Sequence, residues 1–237
     1  MRGYCLESSA VILAGGFSTR FGQDKALLQL GNQPLILHVL NRVSSVVDEE
    51  IVVASTEIAR SQLQKVVAHR ASVLVDEIKI QTPLAGAYTG FNHARNEYSL
   101  LLSCDTPFVN TEIVQFLLET CVNRTASIPR WPQGHIEPLQ AAYHTKSALA
   151  AAKIALDKGK LDMNSMIGRM REVRYISTLV LKQLDPKLVT FFNINTQANL
   201  RSAESLLKRS QYELAVKGAR EEFPFNDRLP EEGSSND

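Results

Sequence analysis

The stretch AVILAGGFSTRFGQDK, residues 10–25, decides the fold. It begins with a short apolar run at residues 10–14, which ends directly in Gly15 and Gly16. A run of this length bounded by glycines is typical of a buried strand. The glycines open a loop that continues to Asp24. We interpret the stretch as the first strand of a sheet and the loop that follows it.

Short apolar runs alternate with helix-periodic stretches along the rest of the chain, which is the pattern of an α/β layered domain. Thr82-Pro83 is typical of a helix start, with threonine as the N-cap. Residues 98–103 form the most hydrophobic run, so we expect them at the centre of the sheet. The other predicted strands are 51–54, 72–75, 126–130, 137–143, 173–176 and 190–194, and the predicted helices are 34–47, 57–67, 84–95, 111–122, 146–157, 162–170 and 197–208.

Strands 126–130 and 137–143 flank a turn at Gly134, and we expect them to pair antiparallel. No shift in composition separates a second domain. We therefore expect one domain over residues 1–209 and a C-terminal extension over residues 210–237. The last dozen residues of that extension are expected to be disordered.

Composition and charge exclude several classes of protein. The net charge is +1 over 237 residues, which argues against a nucleic-acid or membrane partner held by bulk electrostatics. The three cysteines are scattered and form no C-x-x-C pair, so neither a disulfide framework nor a structural zinc site is expected. Apolar runs are too short to span a membrane, and the N-terminus does not have the pattern of a signal peptide. We expect a cytoplasmic protein.

The glycine loop carries the main chemical signal. Its glycines let backbone N–H groups approach an anion, and Arg20 and Lys25 add positive charge. These groups suit a triphosphate, although the loop matches neither the Walker A pattern nor the dinucleotide fingerprint. The alternative is a surface loop with turn glycines and solvated charges. Its place directly after the first buried strand favours the phosphate site.

Two aspartates follow predicted strands. Asp105 comes just after the central strand, and Asp76 comes after strand 72–75. Open α/β sheets bind their ligands at this end of the strands, where a carboxylate can hold Mg²⁺ together with substrate phosphates. Each residue alone is equally compatible with a turn aspartate. Together with the basic glycine loop, they predict a metal–nucleotide site.

The sequence resembles the molybdenum cofactor guanylyltransferases. The matching segments, in the order of that family, are LAGGFSTRFGQDKALL (13–28), QTPLAGAYTGF (81–91), LLLSCDTPFV (101–109), EPLQAAY (137–143) and FFNINTQANL (191–200). The resemblance implies a three-layer αβα Rossmann-like fold, of the glycosyltransferase-A-like nucleotidyltransferase type, with a mostly parallel sheet. The family's asparagine after the second strand is missing, since the chain reads Ala54-Ser55-Thr56 there, and this puts recognition of the base in question.

The resemblance also implies a role for individual residues. Lys25, Arg20 and Asp105 would be catalytic, with Asp105 as the Mg²⁺ ligand. Glu137, Leu139, Asn193 and Asn195 would lie on the acceptor side. The nucleotide would be bound by Leu13, Ala14, Gly15, Gly16, Lys25, Asp76 and Asp105.

The implied reaction transfers GMP from GTP to the molybdopterin form of the molybdenum cofactor. Transient contact with molybdenum-cofactor enzymes or carriers would follow. A CTP-using molybdopterin cytidylyltransferase, another small-substrate nucleotidyltransferase and a nucleotide-binding regulatory protein stay open as alternatives. Gly15 favours GTP, since the cytidylyl relatives typically have alanine there. Trp131 would stack on the pterin or pack over the core.

Overall fold

We describe residues 6–15, 17–18 and 23–222 in a computed structural model of the protein. Within these residues, seven strands form one sheet and four shorter strands form two separate ribbons. The strands are β1 (Ser8–Leu13), β2 (Phe17–Ser18), β3 (Gln23–Asp24), β4 (Gln29–Leu30), β5 (Gln33–Pro34), β6 (Glu49–Ala54), β7 (Ser72–Val75), β8 (Tyr98–Ser103), β9 (Ala126–Arg130), β10 (Gln140–His144) and β11 (Val173–Ser177).

The central sheet has the order β11-β9-β10-β8-β1-β6-β7. Strand β10 runs antiparallel to β8 and β9, whereas the other neighbouring pairs are parallel. The first residue of β10 therefore lies at the same edge as the last residues of the parallel strands. Strand β8 occupies the middle of the sheet, as its apolar composition predicts.

Helices cover both faces of the sheet. They are α1 (Leu35–Val43), α2 (Glu57–Val67), α3 (Pro83–His93), α4 (Thr111–Cys121), α5 (Thr145–Asp157), α6 (Met163–Ile167), α7 (Thr178–Leu181) and α8 (Gln197–Glu222). Helices α1, α2 and α4 share one buried cluster with Ile12, and helices α3, α5 and α6 share another with Val11 and Leu13. Successive residues of β1 thus face opposite layers, as the pleat of a strand requires. The predicted three-layer αβα architecture is confirmed.

Most predicted elements are found with small changes at their ends. Thr82 caps α3 and accepts a hydrogen bond from the Ala85 N–H, and Pro83 is its first residue, as predicted. The strand predicted at 137–143 begins only at Gln140, because its backbone N–H donates to the Glu137 carbonyl in a turn. The helix predicted at 162–170 is shorter, with Asp162 as its N-cap. Helix α8 continues past residue 209, and the predicted domain boundary there stays a prediction.

The strand predicted at 190–194 is wrong. Val189–Phe191 is a 3₁₀ turn that follows Leu188, a residue with a left-handed φ of 50°. Buried Thr190 bonds to a turn instead of a neighbouring strand, because its N–H donates to the Asp185 carboxylate. Thr190 and Ile194 are both fully buried even though neither belongs to a strand. No helix among the residues described has the length and apolar composition needed to cross a membrane.

Candidate active site

The carboxyl edge of the sheet gathers the predicted site residues. Strand β1 ends at Leu13 and leads into Ala14 and Gly15, and β8 ends two residues before Asp105. Strand β7 leads directly into Asp76. Antiparallel β10 begins at this edge, just after Leu139. This edge is where open α/β sheets bind their ligands.

Lys25 lies at the centre of the cluster. It begins the 3₁₀ turn Lys25–Leu27, which Asp24 caps by accepting a hydrogen bond from the Ala26 N–H. The Lys25 Nζ lies 3.3 Å from Asp105 Oδ2 and donates to Asn195 Oδ1 at 2.5 Å. Three residues that the sequence assigns to one site are therefore in contact. The lysine and Asp105 side chains are only 23% and 15% exposed, so their charges are partly shielded from water.

Asp105 is held on both its side chain and its backbone. The Ser103 hydroxyl donates to Asp105 Oδ1 at 2.7 Å, and the Ile194 N–H donates to the Asp105 carbonyl at 2.9 Å. Burial raises the pKa of the neighbouring Cys104 thiol well above its usual value, so Cys104 is not a thiolate nucleophile at neutral pH. Asp105, and not Cys104, is the chemically available group at the end of β8.

The loop before α8 brings Asn195 to Lys25. The Asn195 N–H donates to Asn199 Oδ1, and Thr196 Oγ1 donates to the same oxygen. The backbone of Asn195 is thus fixed by the first turn of α8, and its carboxyamide reaches Lys25 from there. Asn193 lies two residues earlier and is exposed. Of the two asparagines predicted on the acceptor side, Asn195 contacts the cluster directly, and no described contact joins Asn193 to it.

A cavity of about 240 Å³ opens at this edge, on the α3 side of β1. Its apolar walls include Leu13, Val53 and Pro83, and its polar groups include Asp76 and Ser103. The described residues that line it are Leu13, Gly15, Val53, Ala54, Ser55, Asp76, Gln81, Thr82, Pro83, Gly86, Ser103 and Leu139. Apolar walls with a few convergent polar groups are typical of a small-molecule site.

Asp76 presents one carboxylate oxygen to this cavity. Its Oδ1 accepts hydrogen bonds from the Thr89 hydroxyl and the Ile78 N–H, each at 3.0 Å. A Cβ on Gly86, a cavity-lining residue, would lie 3.8 Å from Asp76 Oδ2. Burial raises the pKa of the Asp76 carboxyl, and the bonds from Ile78 and Thr89 oppose that rise.

Gly15 and Ser55 face each other across the cavity mouth. A Cβ on Gly15 would lie 3.5 Å from Ser55 Cβ, which is an ordinary van der Waals contact. The fold therefore tolerates alanine at position 15, and the glycine is not required by packing against Ser55. Its absent side chain leaves the backbone of the loop accessible to a ligand.

Glu137 lies beside the cavity, linked to Trp131. The Trp131 Nε1–H donates to Glu137 Oε1 at 2.7 Å, and the indole packs edge-on against Phe191 with ring centroids 5.7 Å apart. Trp131 is thus packed against the core, which was one of the two interpretations of this residue. The neighbouring Leu139 lines the cavity. The predicted acceptor-side role of Glu137 stays a prediction.

Several predicted residues lie outside the part of the chain that the structure describes. Arg20 and Gly16 belong to this group. The structure in turn adds residues that the sequence analysis missed. Ser103 contacts Asp105, and Thr89 contacts Asp76. Ser103 could have been found as a hydroxyl residue at the end of the central strand, whereas nothing in the sequence shows that Thr89 reaches Asp76.

In this αβα fold, a lysine, a carboxylate at a strand end and a cavity lie together at the carboxyl edge of the sheet. This combination is typical of the nucleotidyltransferase-like class of proteins. The profile of the MobA-like NTP transferase domain matches residues 10–173. A protein of Methanosarcina mazei named probable molybdenum cofactor guanylyltransferase is 33% identical over 199 residues, which cover 82% of this chain and 88% of that protein. The molybdenum cofactor guanylyltransferase of Desulfosudis oleivorans is 31% identical over 202 residues, covering 84% and 96%.

Solved structures agree with this assignment. Molybdopterin-guanine dinucleotide biosynthesis protein A from Archaeoglobus fulgidus superposes with a TM-score of 0.73 at 27% identity, covering 85% of this chain and 99% of that protein. The 2-C-methyl-D-erythritol 4-phosphate cytidylyltransferase from Thermus thermophilus has a TM-score of 0.64 at 20% identity, over 85% and 99%, and supports the fold alone. The chain belongs to the MobA-like NTP transferase family and is a nucleotidyltransferase.

Proposed function

We propose that the protein transfers GMP from GTP to the terminal phosphate of the molybdopterin form of the molybdenum cofactor. The products are the guanine dinucleotide cofactor and pyrophosphate. The contact of Lys25 with Asp105 and Asn195 beside the nucleoside-sized cavity carries the proposal. The names of the relatives from Methanosarcina mazei and Desulfosudis oleivorans support the same reaction.

The proposed mechanism uses positioning and charge neutralisation. The acceptor phosphate is already ionised at neutral pH, so the reaction needs no strong general base. The nucleoside occupies the cavity between β1 and α3, and the triphosphate extends toward Lys25. The ammonium of Lys25 neutralises charge on the leaving pyrophosphate, and Arg20 keeps its predicted role of assisting it. Glu137 and Asn193 remain predicted acceptor-side residues.

Mg²⁺ is the proposed cofactor, and the donor set fits that ion. The residues described contain no cluster of three or more histidine, cysteine or acidic side chains. A single carboxylate is nevertheless what Mg²⁺ needs where substrate phosphates and water complete its shell. Asp105 would hold the ion, and Ser103 would keep its carboxylate oriented through Oδ1. When bound, Mg²⁺ supplies neutralisation of charge on the phosphate oxygens.

GTP is the proposed donor, and CTP is the alternative within the same fold. Gly15 leaves the loop backbone open to a purine, and the space opposite Ser55 admits an alanine without strain. Gly15→Ala therefore changes the ligand surface without a packing cost at Ser55. If Gly15 sets the preference for GTP over CTP, this substitution lowers the ratio between the kcat/KM for GTP and the kcat/KM for CTP.

The experiment that tests the function measures pyrophosphate release with Mg²⁺, molybdopterin and each of the four triphosphates. Release with GTP supports the proposal, and release only with CTP supports the cytidylyl alternative. GTP binding without release, in the presence of acceptor, indicates a nucleotide-binding regulatory protein. Release with GTP that does not depend on molybdopterin contradicts the proposed acceptor. The predicted cytoplasmic location and transient contact with molybdenum-cofactor enzymes or carriers accompany the proposal.

A further inference from the structure

Two polar side chains in the cavity can form hydrogen bonds with the edge of a nucleotide base. Asp76 Oδ1 is occupied by Thr89 and Ile78, which leaves Oδ2 as an acceptor toward the cavity. Gln81 supplies the one carboxyamide among the cavity-lining residues described. An amide is both donor and acceptor through two adjacent atoms. The hydroxyl-bearing residues of the described lining offer a single oxygen each, and that of Thr82 is already used in capping α3.

We propose that Gln81 and Asp76 together select guanine by its Watson–Crick edge. The inference rests on the proposed function, which places the nucleoside in this cavity. Gln81 Nε2 donates to O6, Gln81 Oε1 accepts from N1–H, and Asp76 Oδ2 accepts from the N2 amine. The two side chains together supply one donor and two acceptors, which complement the one acceptor and two donors on this edge of guanine. Enzymes that bind an extruded base read the same edge with such groups.

This order of groups matches guanine and rejects both pyrimidines. Cytosine presents a donor followed by two acceptors, which places its O2 against the Asp76 carboxylate. Uracil also places a carbonyl there. Two acceptors that face each other repel and cannot form a hydrogen bond. A polar group that is left unpaired in a site is the strongest basis for rejecting an analogue. Adenine pairs with the amide only after it flips, and it then offers a C–H to Asp76 in place of an amine.

The position of Gln81 suits this role. Gln81 directly precedes Thr82, the N-cap of α3, so its backbone is tied to a fixed helix start. It also borders an adjoining cavity of about 400 Å³, together with Ser55. The side chain is exposed, so its replacement does not disturb the core. Gln81 can therefore be substituted as a test of base recognition with little effect on folding.

The test is equilibrium binding of GTP, ITP, ATP, CTP and UTP, with Mg²⁺, to the full chain and to Gln81→Ala. We expect Gln81→Ala to weaken GTP and ITP together by about tenfold or more, which is the effect of losing one or two hydrogen bonds. ITP keeps O6 and N1–H but lacks the N2 amine, so the ratio of GTP to ITP stays unchanged. CTP and UTP affinities should change less, because the pyrimidine O2 facing Asp76 Oδ2 already disfavours the position in which the base would pair with Gln81.

Gln81→Glu keeps the side-chain length and an acceptor but loses the donor to O6, and the same selective loss is expected. Gln62→Ala is the matched control, since Gln62 lines the adjoining cavity and not this one. An unchanged ratio of GTP to CTP in both Gln81 variants overturns the inference and leaves the proposed function intact. Equal weakening of every triphosphate also overturns it. A wild-type preference for CTP instead contradicts the proposed function itself.

Discussion

Lys25 and Asp105 form the electrostatic centre of the site. Lys25 contacts Asp105 Oδ2 and Asn195 Oδ1, and this carboxylate oxygen and this amide oxygen hold the ammonium where phosphate oxygens are expected. Lys25→Ala and Asp105→Ala should each lower turnover by at least about 100-fold, which is the typical effect of removing one electrostatic stabiliser. Pyrophosphate release measures the effect. Lys65→Ala, at an exposed position of α2, is the control and should retain full activity.

The ionisation of Asp76 gives a prediction about pH. Burial raises its pKa, so the carboxyl holds its proton to a higher pH than an ordinary aspartate. The ionised form accepts hydrogen bonds from the nucleotide, and GTP affinity should therefore fall as pH drops through the raised pKa. Thr89→Val removes a hydrogen bond that lowers this pKa. The variant should lose GTP affinity at a higher pH than the wild type.

The raised pKa of Asp76 also affects the stability of the fold, and its effect on stability runs opposite to its effect on GTP affinity as pH rises. Since the native carboxyl binds its proton more tightly than the unfolded one, Asp76 reduces the free energy of unfolding as pH rises through that window. Carboxyl-carbon NMR titration of wild type and Thr89→Val measures the pKa directly. A titration midpoint that is unchanged, or lower, in the variant contradicts the assigned role of Thr89. Affinity should be measured where the variant is fully folded, because Thr89→Val also leaves the Glu77 N–H without its acceptor.

At the scale of single residues, the sequence predicts the site residues that follow the ends of strands. Asp76, Asp105 and Lys25 were placed by the rule that ligands meet the carboxyl edge of the sheet, and the structure brings Lys25 and Asp105 into contact. Asn195 was predicted only through the family resemblance, because its contact spans 170 residues of sequence. Thr89 was missed, since its contact depends on how α3 packs beside β7.

At the scale of elements, α3 packs against β1 through Gly90. A Cβ at position 90 would lie 2.1 Å from Val11 Cγ1, so no side chain fits there without movement of the helix. Gly90→Ala should lower the free energy of unfolding by about 1–3 kcal/mol, the usual cost of overpacking. Chemical denaturation measures it. Gly15→Ala is the matched control, since its Cβ would make an ordinary contact.

A second substitution separates overpacking from other effects of Gly90→Ala. Val11→Ala removes both Cγ atoms that the new methyl would meet. Combined with Gly90→Ala, it should cost less than the sum of the two single changes. Additive costs in this double-mutant cycle would show that the methyl does not act through Val11. The movement of α3 also displaces Gly86, so GTP affinity should fall with stability in Gly90→Ala.

Element prediction succeeded where local signals and burial agree. The helix Glu57–Val67 and the strands Ser72–Val75, Tyr98–Ser103 and Ala126–Arg130 have the predicted bounds. The strand predicted at 190–194 failed because buried positions four residues apart, here Thr190 and Ile194, also occur in a packed turn. The spacing of residues indicates which of them are buried, but not which groups accept their backbone hydrogen bonds. Here the Thr190 N–H donates to the Asp185 carboxylate, and the Ile194 N–H donates to the Asp105 carbonyl.

At the scale of the whole molecule, the site is assembled from residues that come early and late in the described chain. Lys25 follows the first strand, and Asn195 precedes the last helix. Helix α8 fixes Asn195 through Asn199, and it packs on the β4–β5 ribbon, where the buried cluster of Leu28, Leu30, Leu35, Phe108, Ile194 and Ala203 lies. We therefore expect the stability of α8 to be coupled to the position of Lys25.

Truncation of α8 tests this coupling. In the part of the chain whose side chains are described, α8 contacts the domain through residues 197–209. Since the predicted domain ends at residue 209, a chain ending at Arg209 should keep the thermal midpoint and GTP affinity of the full chain. A chain ending at Thr196 loses the packing of Ala203 and Leu207 and the support of Asn195 by Asn199. Its midpoint should fall by about 5 °C or more, since each buried apolar side chain contributes roughly 1.5–3 kcal/mol.

Asn199→Ala separates the local contact from the bulk of α8. It removes the acceptor of the Asn195 N–H while leaving the apolar face of the helix in place. We expect its turnover to fall more than its thermal midpoint, because the support of Asn195 and Lys25 is lost and the packing is kept. Thermal unfolding and pyrophosphate release on the same preparations compare the three variants. Full turnover in the chain ending at Thr196 would show that Lys25 does not depend on α8 for its position.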